Sequence, residues 1–252
     1  LAPLLFLFVN AFKSNNEIIA SPVALPEHWT LQYIKTAMEA INFGKALGLT
    51  FIITFFSILL LVIVSSFAAW AMVRSKTILS NIVFLCFTAA MLVPFQSLMY
   101  PLLSVFEKMG LKNVQGLILM YGGFGLSMSV FLYHGFIKSV PASLEEAAVL
   151  DGANLFQMFF KVVFPLLKGT TVTVIVLNGM WIWNDYLLPF LVIGNKTLTL
   201  ELYFAKLTSG QYGNPWELIF PAVFVTIIPI IILYIFLQKY IVAGVSEGAV
   251  KM

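Results

Sequence analysis

Side chains able to do chemistry are sparse in this sequence. Glu145, Glu146 and Asp151 lie together in the stretch Lys138 to Lys168, KSVPASLEEAAVLDGANLFQMFFKVVFPLLK, beside Gly152 and a run of phenylalanines. An acidic group of this kind is ordinarily solvated charge on a surface helix. Placed between a glycine hinge and an aromatic face, it suits docking to another protein. Asp185 stands inside an apolar run, where an ionisable group is costly and is a functional candidate by default. Around it, Trp181, Trp183, Asn184 and Tyr186 offer rings for the C–H faces of a sugar and an amide for its hydroxyls. The competing role for Asp185 is structural, capping or tying helices. Gln96, Ser97 and Tyr100, next to Pro94 and Pro101, either line a pathway or support a kink.

Other chemistry finds no constellation. His28 and His134 have no second ligand at metal spacing. No Ser/His/Asp or Cys/His set is placed for catalysis. A GxxxxGK[ST] phosphate cradle is missing, since Gly44-Lys45-Ala46 and Lys168-Gly169-Thr170 lack its arrangement.

These residues must be positioned by a membrane-embedded scaffold. Of 252 residues, 61% are hydrophobic and 10% charged, with a mean hydropathy of +0.99; a soluble domain of this length needs far more polar surface. The net charge of +3 is too small and scattered for nucleic acid. Cys86, the single cysteine, lies in an apolar run and reads as a buried, inert thiol. The expected fold is all-α: a polytopic bundle of about six transmembrane helices forming one membrane domain over residues 1–252. Leu1 to Phe12 is too short for a hydrocarbon layer of about 30 Å and reads as the end of a truncated first span. Further spans are expected over residues 46–73, 77–106, 113–137, 169–193 and 218–238. Lys13 to Phe43 reads as an external loop with a short interfacial helix near Leu31 to Ile41, Trp29 and Tyr33 lying at headgroup level. Nothing resembles a cleaved signal peptide.

The loop of residues 138–168 has its own grammar. Ser143 with Glu146 forms a capping-box pattern, predicting a helix from Leu144. Glu145 and Glu146 sit in its first turn, where the helix dipole favours negative charge, and Gly152 lies where a left-handed C-cap closes it. Asn154 with Gln157 repeats the capping pattern. Phe156, Phe159, Phe160 and Val163 then follow at i, i+3, i+4 and i+7, one face of a second helix, which Pro165 is expected to stop. That apolar face has no partner within the loop itself.

Glu146-Ala147-Ala148, three residues, Gly152, nine residues and Val162-Val163-Phe164-Pro165 together resemble the EAA motif of permease subunits of binding-protein-dependent ABC importers. Val162 and Phe164 stand where that pattern has Ile and Leu. The resemblance implies a cytoplasmic pair of coupling helices that docks in a cleft of a separate ATPase, through Glu145, Glu146, Ala147, Ala148, Asp151, Gly152, Phe156, Phe159, Phe160 and Pro165. Phe12-Lys13-Ser14, Pro22, Pro26, the run Ala68 to Arg74, Trp183-Asn184-Asp185 and Gly248-Ala249-Val250-Lys251 are similar to the carbohydrate branch, which includes the smaller membrane subunit of the maltose importer. The chain is thereby expected to be a multi-pass protein of the bacterial cytoplasmic membrane.

Its implied partners are a homologous second permease subunit, two ATPase subunits, an extracytoplasmic sugar-binding protein and the lipid bilayer. No cofactor is expected in this chain, with ATP and Mg held by the ATPase. Gln96, Tyr100, Trp183, Asn184 and Asp185 are candidates for the translocation pathway. Gln211, Tyr212 and Gly213, in the loop from Gly194 to Glu217, would reach the binding protein; the plainer reading is a hairpin between spans. The tail would run among the ATPase subunits, the plainer reading being a frayed terminus. Mechanistically, ATP-driven closure of the ATPase pair would move the docked loop and lever the spans between outward and inward openings. The alternatives are a permease for a non-sugar solute, an ion-gradient-driven secondary transporter, for which internal repeats and midplane ligands are wanting, and an intramembrane enzyme. Charge does not orient the chain. Seven Lys and Arg fall on each side if the 138–168 loop is cytoplasmic, and a preceding leader is expected to supply the inside excess.

Overall fold

The computed structural model describes residues 2–194, 196, 197, 199 and 215–249, with the backbone alone at 233, 234 and 236–249. The described residues are helical, in the order α1 (Ala2–Asn10), α2 (Asn15–Ala20), α3 (Gln32–Ala40), α4 (Phe43–Ser75), α5 (Ile78–Ala90), α6 (Phe95–Lys108), α7 (Val114–Ile137), α8 (Ser143–Leu150), α9 (Leu155–Leu166), α10 (Lys168–Asn184), α11 (Leu187–Ile193) and α12 (Trp216–Ala249). The chain divides into two compact units. One joins the segment ending at Ile53 to Trp183–Phe236; the other joins Thr54–Ile182 to the helical segment from Leu237.

In the first unit, Ala37, Ile41, Ala46, Ala222 and Val225 form the buried core, with Trp183, Leu218 and Phe224 packed on it. Small residues let α3, α4 and α12 approach closely, as at other membrane helix interfaces. The predicted helix near Leu31 to Ile41 is α3. The segment after Phe12 holds an additional helix, α2, started by a full capping box between Ser14 and Glu17. This pattern was present in the sequence. The start of α2 is pinned to the start of α12: the Asn15 backbone N–H donates to Glu217 Oε2 at 3.0 Å, and the Trp216 N–H donates to Asn15 Oδ1 at 3.0 Å. Lys13 is buried, its ammonium donating to the Ser21 carbonyl at 3.1 Å, and burial lowers its pKa.

The second unit is built on α4 and α7, each long and apolar enough to cross a membrane. At about 1.5 Å per residue, the 33 residues of α4 extend about 50 Å, well beyond the hydrocarbon layer. Buried Asn178 of α10 ties that helix to α7, donating to Ser129 Oγ at 3.1 Å as well as to its own helix at Val174. Gly125 makes room for this contact, because a Cβ there would lie 2.6 Å from Asn178 Oδ1.

Several expected spans are interrupted. Residues 77–106 form α5 and α6, bent by 107°; Pro94 has no N–H and disfavours helix at Val93, so it becomes the N-cap of α6. Residues 169–193 form α10 and α11, separated at Asp185 and Tyr186. The helix restarts there because Asp185 Oδ1 accepts the Leu187 N–H at 3.0 Å, and Pro189 falls in the first turn, where no intrahelical donor is required. The predicted fourth span is α7, capped by Asn113. The backbone after Gln238 continues as helix to Ala249 rather than fraying. Cys86 is exposed, not buried. Only Ser80 of α5 is fully buried; Phe84 and Phe87 pack half-buried on the core of the second unit, while Ile78, Leu79, Ile82, Val83 and Leu85 are exposed.

Candidate functional site

The 138–168 loop lies wholly in the second unit and is a helix–turn–helix with two distinct faces. Gly152 has φ +81°, where a side chain is strained, and closes α8 as foreseen. The Ala153 N–H donates to the Ala148 carbonyl at 2.9 Å and the Gly152 N–H to Val149 at 3.0 Å, the paired bonds of a Schellman motif. The Asn154–Gln157 capping box also forms, both bonds near 3 Å.

Two expectations for this loop are corrected. Ser143 does not cap α8. Ala142 already has helical dihedrals and its carbonyl takes the N–H groups of Glu145 and Glu146, both at 3.0 Å, so the hydroxyl is inside the helix rather than ahead of it. Pro165 does not stop the second helix either, which continues to Leu166 and breaks at Leu167, bending 77° into α10. Over Met158–Val163 the helix widens to a π register, and the Phe164 N–H reaches back to the Phe159 carbonyl. The wider turn admits a proline at the next position, where an α-helical N–H would otherwise be missing.

The inner face is fastened to α4. Glu145 is 8% exposed and sits at the centre of a polar clasp. Arg74 Nη2 approaches its Oε1 to 2.7 Å and Arg74 Nε donates to the same oxygen at 2.8 Å, while Trp70 Nε1 donates to Oε2 at 3.1 Å. Arg74 Nη2 also donates to the Val140 carbonyl at 3.0 Å, tying in the turn between α7 and α8. From the second arm, Phe159 is fully buried, its ring 5.0 Å from Phe67 and 5.3 Å from Trp70. Val163 and Leu167 join it in a core with Tyr133, Ile137 and Val174. Part of the apolar face that lacked a partner in the sequence is therefore ordinary core, and Phe159 belongs to it.

The outer face is open. Glu146, Ala147, Asp151, Gly152 and Pro165 are exposed. So are large apolar side chains that sequence reasoning passed over: Leu144, Val149, Leu150 at 89%, and Leu155, alongside Phe156 at 65% and Phe160 at 48%. Ala148 faces inward with Glu145. Leu150 and Leu155 bracket the Gly152 turn, which was the signal available for them.

The candidate pathway residues belong to both units, Gln96 and Tyr100 to the second and Trp183, Asn184 and Asp185 to the first. Gln96 and Tyr100 are exposed on α6, Tyr100 at 81%. Trp183 packs on the core of the first unit, and Thr199 Oγ1 donates to its carbonyl at 3.0 Å. Asn184 is exposed, and Asp185 is half-buried at the α10–α11 break. Trp181 meets Tyr121 edge to face at 5.5 Å, within the second unit. His134 stacks on Phe84 with centroids 3.6 Å apart, a packing role. Gln211, Tyr212 and Gly213 lie outside the described residues.

A helical bundle of the membrane-protein kind is the class this fold defines. The solved structure of a bacterial ABC transporter involved in the import of the acidic polysaccharide alginate superposes with a TM-score of 0.82, covering 95% of this chain and 90% of that one at 23% identity. More particularly, residues 61–247 match the family described as binding-protein-dependent transport system inner membrane component, and the chain belongs to it. A probable starch degradation products transport system permease protein of Thermoanaerobacterium thermosulfurigenes is 42% identical over 100% of this chain and 92% of its own length. A multiple sugar-binding transport system permease protein of Streptococcus mutans is 37% identical over 100% and 92%. A melibiose/raffinose/stachyose import permease protein of Bacillus subtilis is 34% identical over 99% and 91%.

Proposed function

We propose that this chain is one of two membrane subunits of an ATP-driven importer of an oligosaccharide, forming part of a single translocation domain. The observation that carries the reading is the division of labour within one loop. Its inner face is committed to α4, while its outer face presents Leu144, Val149, Leu150, Leu155, Phe156 and Phe160 to a partner, around the exposed Glu146. An apolar patch rimmed by charge is the form of a protein docking surface. The partner is a separate ATPase subunit, which holds the ATP and Mg. A homologous permease chain and an extracytoplasmic binding protein complete the assembly. The names of the relatives favour sugar cargo over other solutes.

Gln96 and Tyr100 remain candidates for the pathway because their side chains are open on α6. Asp185 is read first as the acceptor that takes the Leu187 N–H where α11 begins. The test is reconstitution: the chain, co-expressed with its partner permease, ATPase and binding protein, should purify as one assembly and accumulate labelled oligosaccharide in proteoliposomes only when ATP is present. Uptake by the isolated chain on a proton or sodium gradient would overturn the reading.

A further inference from the structure

Both arms of the loop converge on one stripe of α4. Phe67, Trp70 and Arg74 stand at i, i+3 and i+7 and so share a face of the helix. Phe67 and Trp70 receive Phe159 from α9, and Trp70 and Arg74 receive Glu145 from α8. Glu145 and Ala148 are the buried residues of α8, and Ala148 offers only a methyl group. A helix of eight residues does not hold itself in place. A push on its outer face therefore reaches α4 directly through the Glu145 carboxylate, beside the packing of α8 on Met158–Val163 of α9.

We infer that Glu145, Trp70 and Arg74 form a clasp that transmits movement of the docked loop to α4, making Glu145 a positioning residue for coupling rather than a contact with the ATPase. The orientation of the three donors gives the clasp a direction. Two Arg74 nitrogens share one carboxylate oxygen and the indole N–H takes the other, so α8 cannot rotate or slide along α4 without breaking charge-assisted bonds. Through the Val140 carbonyl, the same guanidinium carries the turn that precedes α8.

The inference rests on the importer reading, and the two fail differently. In the reconstituted assembly, ATP hydrolysis and 14C-maltotriose accumulation are measured together for wild type, E145Q, R74Q, W70F and the exchange R74E/E145R. Wild type that hydrolyses ATP without sugar accumulation counts against the function proposed above. With wild type coupled, E145Q and R74Q should still purify with the ATPase but consume at least tenfold more ATP per sugar. W70F, which keeps the ring and loses the N–H, should show a two- to threefold rise, and the exchange should recover part of the loss. Wild-type coupling in E145Q, or release of the ATPase by E145Q with normal packing in W70F, would overturn the clasp.

Discussion

The arms of the 138–168 loop are attached to the same face of α4 by different physics. α8 is fixed by a partly buried ion pair and an indole hydrogen bond; α9 is fixed by the burial of Phe159 among aromatic rings. Ring burial contributes energy with loose directionality, whereas an ion pair adds little net energy over an apolar substitute but constrains geometry. α9 thus anchors the loop and α8 registers it. The outer surfaces of both arms are alike, exposed and apolar.

This contrast can be broken from either side. Phe159→Ala should have the largest effect on stability, a loss of about 3–5 kcal/mol, read by thermal unfolding in detergent; a loss below about 1 kcal/mol would remove α9 as the anchor. Glu145→Ala should cost about 2 kcal/mol, less than a fully buried pair because the Arg74 side chain keeps 22% of its exposure. Amide exchange separates the arms: Glu145→Ala should raise exchange within Ser143–Leu150 and spare Leu155–Leu166. Gly152→Val should cost about 1–2 kcal/mol by forcing a β-branched residue into a left-handed turn, and should misalign the arms, so ATP-driven uptake should fall more than stability does. Unchanged uptake would contradict that.

The smallest effect lies in the other unit and serves as a control. Glu17 accepts the Glu27 N–H and the Ser14 N–H and hydroxyl, which hold its carboxyl below the usual range. A lowered folded-state pKa stabilises the turn above the unfolded value, and this contribution is lost as pH falls through the folded value. Acidification through the folded value of Glu17 should lower the protection factor of the Glu27 amide, read by exchange corrected for the intrinsic effect of pH.

Much of the site was legible because it is written in local chemistry. Gly152 and the Asn154–Gln157 box depend on neighbours a few residues away, and both formed as spacing predicts. Apart from the Ser143 cap and the stop at Pro165, what escaped depends on distance in the chain. Nothing local marks Glu145 rather than Glu146 as the one that turns inward, a choice set by Trp70 and Arg74, 71 residues and more earlier. The aromatic stripe was visible, yet its division into buried Phe159 and exposed Phe156 and Phe160 is set by α4. Similarly, hydropathy alone runs through residues 77–106 and 169–193, where Pro94 and Asp185 interrupt the helices by removing or capturing a backbone donor.

The central claim is that one loop has a face for its own bundle and another for a foreign ATPase. It is tested most directly by co-purification of the ATPase with Leu150→Asp, which places charge at the most exposed point of the outer face, measured beside Glu145→Gln on the inner one. The account predicts that Leu150→Asp loses the ATPase while Glu145→Gln retains it. Retention by Leu150→Asp would contradict it.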